Sequence, residues 1–280
     1  MNPVTFARAP VRICDVGGWT DTWFYEKGAV FNFRVDLYSY VRVVENGGDK
    51  INIISENLDL STEIKNYRKI EYDGTLDLLK AAINRMNIQR GLDIFVRADA
   101  PPGCGTGTSA SVAVSLIAAL AAYSNRHLVA YEIAELAHKL ETEELGMESG
   151  VQDQYAAAYG GINFMEIDYP SVKISNIQIS ERRLCELESQ LILVYLSSRS
   201  SSQMHEAVIE QYKKGDPNTV KAFERIKECA VAMKKAIKSD EMADMAEVMN
   251  QNWASQKDLH PQMVNPVIQK AEEIAFENGA

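Results

Sequence analysis

The chain has 280 residues, enough for one large domain or two ordinary ones, and its 46% hydrophobic and 24% charged composition suits a globular protein with a sizeable core. Its 29 basic and 39 acidic side chains give a formal net charge of −10. That balance argues against a general nucleic-acid or anionic-membrane binder, but it leaves room for a local anion site built from backbone N–H groups and a divalent cation. Cys14, Cys104, Cys185 and Cys229 are scattered and form neither a zinc spacing nor a disulfide framework. The opening MNPVTFARAPVRI does not resemble a signal peptide, and the run SASVAVSLIAALAAY falls short of the roughly 20 apolar residues of a membrane span. A cytoplasmic location is the expectation.

The first third reads as strands: FARAPVRICDV, a turn at Gly17 and Gly18, then AVFNFRV, LYSYVRVVE and KINIISE. Helical spacing over 75–89 is followed by a period-two segment, GLDIFVRAD. A glycine loop at 103–107 leads into a small-residue helix from Ser109 to Tyr123. A second helix is expected over 129–145, and a short third one in GVQDQYAAAYGG, ended by Gly160 and Gly161. INFMEI and KISNIQI read as strands, and the nearly continuous apolar run QLILVYLSS as a central strand. Helices near 203–214, 219–238, 240–256 and 264–277 complete the chain.

The pattern is α+β with two domains: a strand-rich one over 1–185 and a helix-rich one over 186–280. The apolar strand in the second domain has no evident neighbour to bond its backbone groups, so it either joins the first domain's sheet or has partner strands beyond residue 280; the second is the expectation, and the second domain reads as incomplete.

PPGCGTGTSAS, residues 101–111, carries the strongest local signal. Glycines at 103, 105 and 107 permit positive φ and a close backbone approach, and the helix that follows presents free N–H groups and its dipole to an anion. The competing reading is a glycine turn with an ordinary hydroxyl N-cap. A Walker loop needs a lysine that is missing here, and the dinucleotide fingerprint places its last glycine two residues later. Without that lysine, Mg²⁺ is the economical counter-charge, with Ser109 and Glu141 as hard-oxygen candidates. HKLETEELGMES also holds Glu143, Glu144 and Glu148, periodicity does not choose among the four, and a solvated acidic helix face is the competing reading. Asp153, at a helix start among small residues, suits a carboxylate that accepts a substrate hydroxyl proton, or else an acidic helix terminus. Arg8, Arg12, Asp21 and Arg34 surround the aromatic GGWTDTWFYEKG and form a candidate grip for a polyol or sugar phosphate, although each serves equally as a surface or fold-supporting group. Arg199, in SSRSSSQMHE, is a candidate second anion or sugar contact, with simple capping of the following helix as the competing reading.

Three stretches together, RAPVRICDVGGWTDT, PPGCGTGTSAS and GMESGVQDQYAAAYGG, resemble in order and spacing the GHMP superfamily of small-molecule kinases. The resemblance implies a two-domain GHMP kinase fold that uses ATP and Mg²⁺. Pro102, Gly103, Gly105, Thr106, Gly107, Thr108 and Ser109 are then expected on the nucleotide, and Ser109 and Glu141 on the metal. It further implies Asp153 with Arg12 in catalysis, and Arg12, Trp19, Asp21 and Arg199 on the substrate. Thr106 and Thr108 stand where the family has Leu and Ser, and the family's late glycine-rich motif is absent from the chain. GGWTDT and GVQDQYAAAYGG look most like the heptose-phosphate and fucose kinase branch, followed by the galactokinases. The implied partner is a sugar or sugar phosphate, with no nucleic acid or membrane, and a homodimer is admitted. A catalytically inactive nucleotide- or sugar-binding member of the fold is the alternative.

Overall fold

The computed structural model describes residues 4–197, 202–239 and 241–279. In chain order the elements are β1 (Val4–Val16), β2 (Ala29–Glu45), β3 (Ile51–Ser55), β4 (Leu60–Ile64), α1 (Asp77–Arg85), β5 (Leu92–Ala98), α2 (Thr108–Tyr123) and α3 (Ala130–Lys139). A π-helical turn, Leu140–Glu144, prolongs α3. Then follow α4 (Gln152–Tyr159), β6 (Ile162–Asp168), β7 (Ser171–Asn176), α5 (Glu181–Gln190), α6 (Ser202–Lys213), α7 (Pro217–Ala236), α8 (Met242–Lys257) and α9 (Pro266–Glu277). The architecture is mixed, with strands concentrated early and helices late. No helix of the described residues is long and apolar enough to cross a membrane.

The chain forms two compact units, one from residues up to Ile13 together with Phe33–Gly161, the other from Cys14–Asn32 together with the residues from Ile162 onward. The units change over at Ile13, Asn32 and Gly161, where the sequence reading places a single boundary near 185.

In the first unit β5 lies between β2 (antiparallel, Val43 opposite Ile94) and β3 (parallel, Ile53 opposite Ile94), with β4 antiparallel on β3 and β1 beside β2. Period two sends Val41, Val43, Ile51, Ile53, Ile94 and Val96 to one face. There they form a core with Leu79 and Ile83 of α1 and with Leu116, Ile117 and Leu120 of α2. α2 is buried nearly all round, and its alanines and serines, which carry little bulk, leave room for α3 and α4 to lie against it. This packing is what makes the start of α2 a rigid platform.

In the second unit β6 and β7 form an antiparallel pair, and Gly28 and Ile167 exchange backbone hydrogen bonds of 3.2 and 3.0 Å. A separate core gathers Tyr25, Val208, Phe223, Ile226, Leu259 and Met263. α7 opens with Asp216 accepting from the Thr219 N–H at 2.8 Å and with Pro217 in its first turn, a strong local start signal.

Three expectations change. AVFNFRV and LYSYVRVVE are one continuous strand, β2, and β4 and α5 arise where no element was expected. The run expected as a central strand is irregular from Leu191 to Ser197, with Ile192 87% and Val194 62% exposed. A strand is made by its neighbours, and an apolar run alone does not supply them.

Candidate active site

The loop between β5 and α2 adopts the conformation its glycines permit: Gly103, Gly105 and Gly107 have φ of 74°, 79° and 70°. α2 then begins at Thr108 with no side-chain cap. Its first helical hydrogen bond runs from the Ser111 N–H to the Gly107 carbonyl, 3.0 Å, so the N–H groups of Thr108, Ser109 and Ala110 have no helical acceptor. The neighbouring hydroxyls are engaged elsewhere. Thr106 and Thr108 lie 3.2 Å apart, the Cys104 sulfur is 2.9 Å from the Thr106 hydroxyl, and Ser111 donates to the Ala9 carbonyl at 2.7 Å. Ser109 is exposed, and its hydroxyl makes no hydrogen bond among the described residues. The ordinary hydroxyl N-cap is thus set aside, and the helix end faces outward with open donors. Pro102 is exposed in the same loop.

Arg12 ties this loop to α4. Its Nε donates to Asp153 Oδ1 at 2.8 Å, a second guanidinium nitrogen donates to the Gly105 carbonyl at 2.5 Å, and its backbone N–H donates to the Thr106 carbonyl at 3.1 Å. The charged pair is asymmetric: the Arg12 side chain is 10% exposed and that of Asp153 is 30%. Asp153 sits in the first turn of α4 but caps nothing, since Val151 holds the N-cap position without a side-chain bond. Its side chain stays partly open to solvent, oriented by Arg12 and lying beside Gly107.

Glu141 lies in the π-helical turn, a form of helix that recurs at functional sites. It is buried, and one carboxylate oxygen accepts from Ser149 Oγ at 2.5 Å and from Gln154 Nε2 at 2.8 Å. Burial pushes the Glu141 carboxyl up to about 7. The Ser149 hydrogen bond opposes the rise, the Asp153 charge adds to it, and the Gln154 hydrogen bond opposes it again. Its neighbours are occupied or solvated: Glu143 and Glu144 both pair with Arg85, and Glu148 is exposed. Tertiary structure thus separates the four glutamates that periodicity leaves equal. Ser149 and Gln154 were missed by sequence reasoning; the only signal is their place in the same GMESGVQDQ stretch that carries Asp153.

Trp19 and Asp21 belong to the second unit. Trp19 has φ of 81°, rare for a bulky side chain. Thr20 Oγ1 donates to the Gly17 carbonyl at 2.7 Å, and Thr22 Oγ1 donates to the Trp19 carbonyl at 2.8 Å. These bonds hold the turn, and the Trp19 ring meets His205 edge-on at 4.7 Å. Asp21 is buried. Arg199 lies outside the described residues. Arg8 and Arg34 do not join Arg12: the first lies over the Tyr38 ring at 4.5 Å, and the second pairs with Asp36 at 3.1 Å.

The first unit thus joins open helix N–H donors, an exposed hydroxyl, a buried carboxylate and an oriented carboxylate. Among the described residues no group of three or more His, Cys, Asp or Glu forms a metal cage. Glu141 and Ser109 each offer a hard oxygen of the kind that suits a small divalent ion which keeps oxygen ligands from water or phosphate as well.

Residues 73–161 match the family model described as GHMP kinases N terminal domain. Over 285 residues the chain is 30% identical to D-glycero-alpha-D-manno-heptose 7-phosphate kinase of Campylobacter jejuni, covering 98% of this chain and 83% of that protein. It is 27% identical over 288 residues to the bifunctional fucokinase/GDP-fucose pyrophosphorylase of Arabidopsis thaliana, covering 95% of this chain and 27% of that longer one. A crystal structure of a D-glycero-D-manno-heptose 1-phosphate kinase from Bacteroides thetaiotaomicron superposes with a TM-score of 0.78 at 26% identity, covering 91% of this chain and 79% of the other.

Proposed function

We propose that this chain, which belongs to the GHMP kinase family, moves the γ-phosphoryl group of ATP to a hydroxyl of a heptose phosphate. The family places it among small-molecule kinases in general. The heptose phosphate is favoured by the two heptose-phosphate kinases among its relatives, while L-fucose and then galactose are the next acceptors to test.

The observation that carries the reading is Arg12, bonded at once to the Asp153 carboxylate and to the Gly105 carbonyl. One side chain thereby fixes a proton acceptor against the phosphate-binding loop. The open N–H groups at the start of α2 bind phosphate oxygens, and Gly103, Gly105 and Gly107 let the backbone come close to them. Ser109 and Glu141 would hold a magnesium ion, whose charge would offset that of the phosphates. Asp153 orients the acceptor hydroxyl and takes its proton as the new bond to phosphorus forms. Arg12 keeps that carboxylate aimed and lends positive charge beside the transferring group.

An assay that couples ADP release to a panel of heptose 7-phosphate, fucose, galactose and mevalonate tests it. Fastest turnover with heptose 7-phosphate is the expected result. Turnover with mevalonate alone overturns the substrate class, and nucleotide binding without turnover on any acceptor turns the chain into an inactive binding member of the fold.

A further inference from the structure

The face of the first unit's sheet turned away from α1 and α2 has a chemistry that the kinase reaction does not use. The register of β2 and β5 sets Tyr40 opposite Arg97 and Arg42 opposite Phe95. Each cross-strand pair therefore joins a guanidinium to an aromatic ring: Arg42 lies 4.0 Å from the Phe95 centroid and Arg97 lies 5.8 Å from that of Tyr40. From β1, Arg8 lies over Tyr38. A cavity of about 470 Å³ opens on this face, lined by Phe6, Arg8, Tyr40, Arg42, Phe95 and Arg97 among others, a size within the range of small-ligand pockets. None of these residues belongs to the glycine loop, the π-helical turn or α4.

The charge of this face runs against that of the molecule. In a chain of net charge −10, three arginines line one cavity with a single acid, Glu56. Arg97 is paired with Asp99 at 3.1 Å, while among the described residues Arg8 and Arg42 form no ion pair. Phe6 is 71% exposed, a large apolar ring left at the rim. A guanidinium stacked on one ring still offers its N–H edge to an anion, in the two-pronged geometry that suits phosphate, and its opposite face to a second flat ring. Two copies of this face meeting about a twofold axis would set arginines against arginines, which disfavours self-pairing.

We infer that the Arg42–Phe95 and Tyr40–Arg97 pairs, with Phe6 and Arg8, form a second binding site for a nucleoside phosphate, separate from the phosphate loop. The arginine edges take the phosphate, and the exposed Phe6 ring with the guanidinium faces takes the base.

Calorimetric titration with a nucleoside monophosphate, UMP, tests this on the whole protein while the phosphate loop is saturated with Mg²⁺ and a non-hydrolysable ATP analogue. One equivalent of UMP is expected to bind, at least tenfold more weakly in Arg42→Gln, in Arg97→Gln and in Phe6→Ser. Kinase turnover without UMP should be unchanged in each variant. No binding at millimolar UMP, or equal binding in the arginine variants, overturns the site. Inorganic phosphate binding as tightly as UMP overturns the nucleoside assignment, because the base then contributes nothing. Tighter binding of an acidic peptide or a single-stranded oligonucleotide overturns it in favour of a macromolecular partner.

Discussion

The carboxyl carbon of Asp153 lies 3.0 Å from the point where a Cβ on Gly107 would stand. The phosphate loop and the proposed proton acceptor are thus in contact through a missing side chain. Gly107→Ala should lower kcat at least tenfold by displacing the carboxylate, and should cost about 1–2 kcal/mol of stability because its φ is 70°. Gly105→Ala is the control: its φ is 79°, but its Cβ meets nothing within 4 Å. It should cost similar stability and leave kcat largely intact. A bulkier Gly105→Val should raise the KM for ATP by crowding the approach of phosphate. Steady-state kinetics beside thermal melts separate the two positions, and equal kcat in Gly107→Ala and wild type would remove the contact from the mechanism.

Asp153→Asn should preserve the fold and nucleotide affinity, because it is nearly isosteric and can still accept from Arg12. Turnover should fall by roughly 10²–10⁴, as for loss of a positioned base. If acceptor affinity falls as much as turnover, the carboxylate serves to balance Arg12 instead. Arg12→Lys keeps the charge but cannot span Asp153 and Gly105 as the guanidinium does, so kcat should drop there too.

The carboxyl of Glu141 titrates at about 7 in the folded chain against an ordinary 4.5. Between those values the folded state keeps a proton that the unfolded chain has lost, so this group's contribution to stability falls as pH rises through the window. The full cost above pH 7 is about 3 kcal/mol by the free-energy equivalent of the shift. Glu141→Gln should therefore gain stability relative to wild type between pH 5 and pH 8 in urea melts. A pH-independent difference would show that Glu141 is ionised throughout.

Magnesium binding should reverse that shift. Adding Mg²⁺ with a non-hydrolysable nucleotide at pH 7 should release a proton from Glu141, visible calorimetrically as a heat that varies with the ionisation enthalpy of the buffer. The release should vanish in Glu141→Gln. Ser109→Ala should keep metal-free nucleotide affinity and raise the Mg²⁺ concentration needed for half-maximal turnover.

Local features were readable before any folding. The glycine spacing at 103, 105 and 107 called for positive φ, and the helix start after it called for free donors; both follow from backbone geometry within a few residues. The long helices after residue 200 were legible for a similar reason, through apolar spacing and strong caps such as Asp216. QLILVYLSS misled because an apolar run reports only a tendency to be buried, whereas a strand needs a partner for every backbone group.

What the amino-acid order determined by itself was the glycine loop, the helix it starts, and an acidic stretch too rich in glutamate to resolve. Which glutamate matters was decided by tertiary structure, where Arg85 claims Glu143 and Glu144 and leaves Glu141 buried with Ser149 and Gln154. The same holds for Arg12, 141 residues from Asp153 in sequence, and for the pairing of Arg42 with Phe95. Side-chain chemistry and backbone freedom are written locally; burial, charge pairing and strand register are properties of neighbours that only the packed chain brings together.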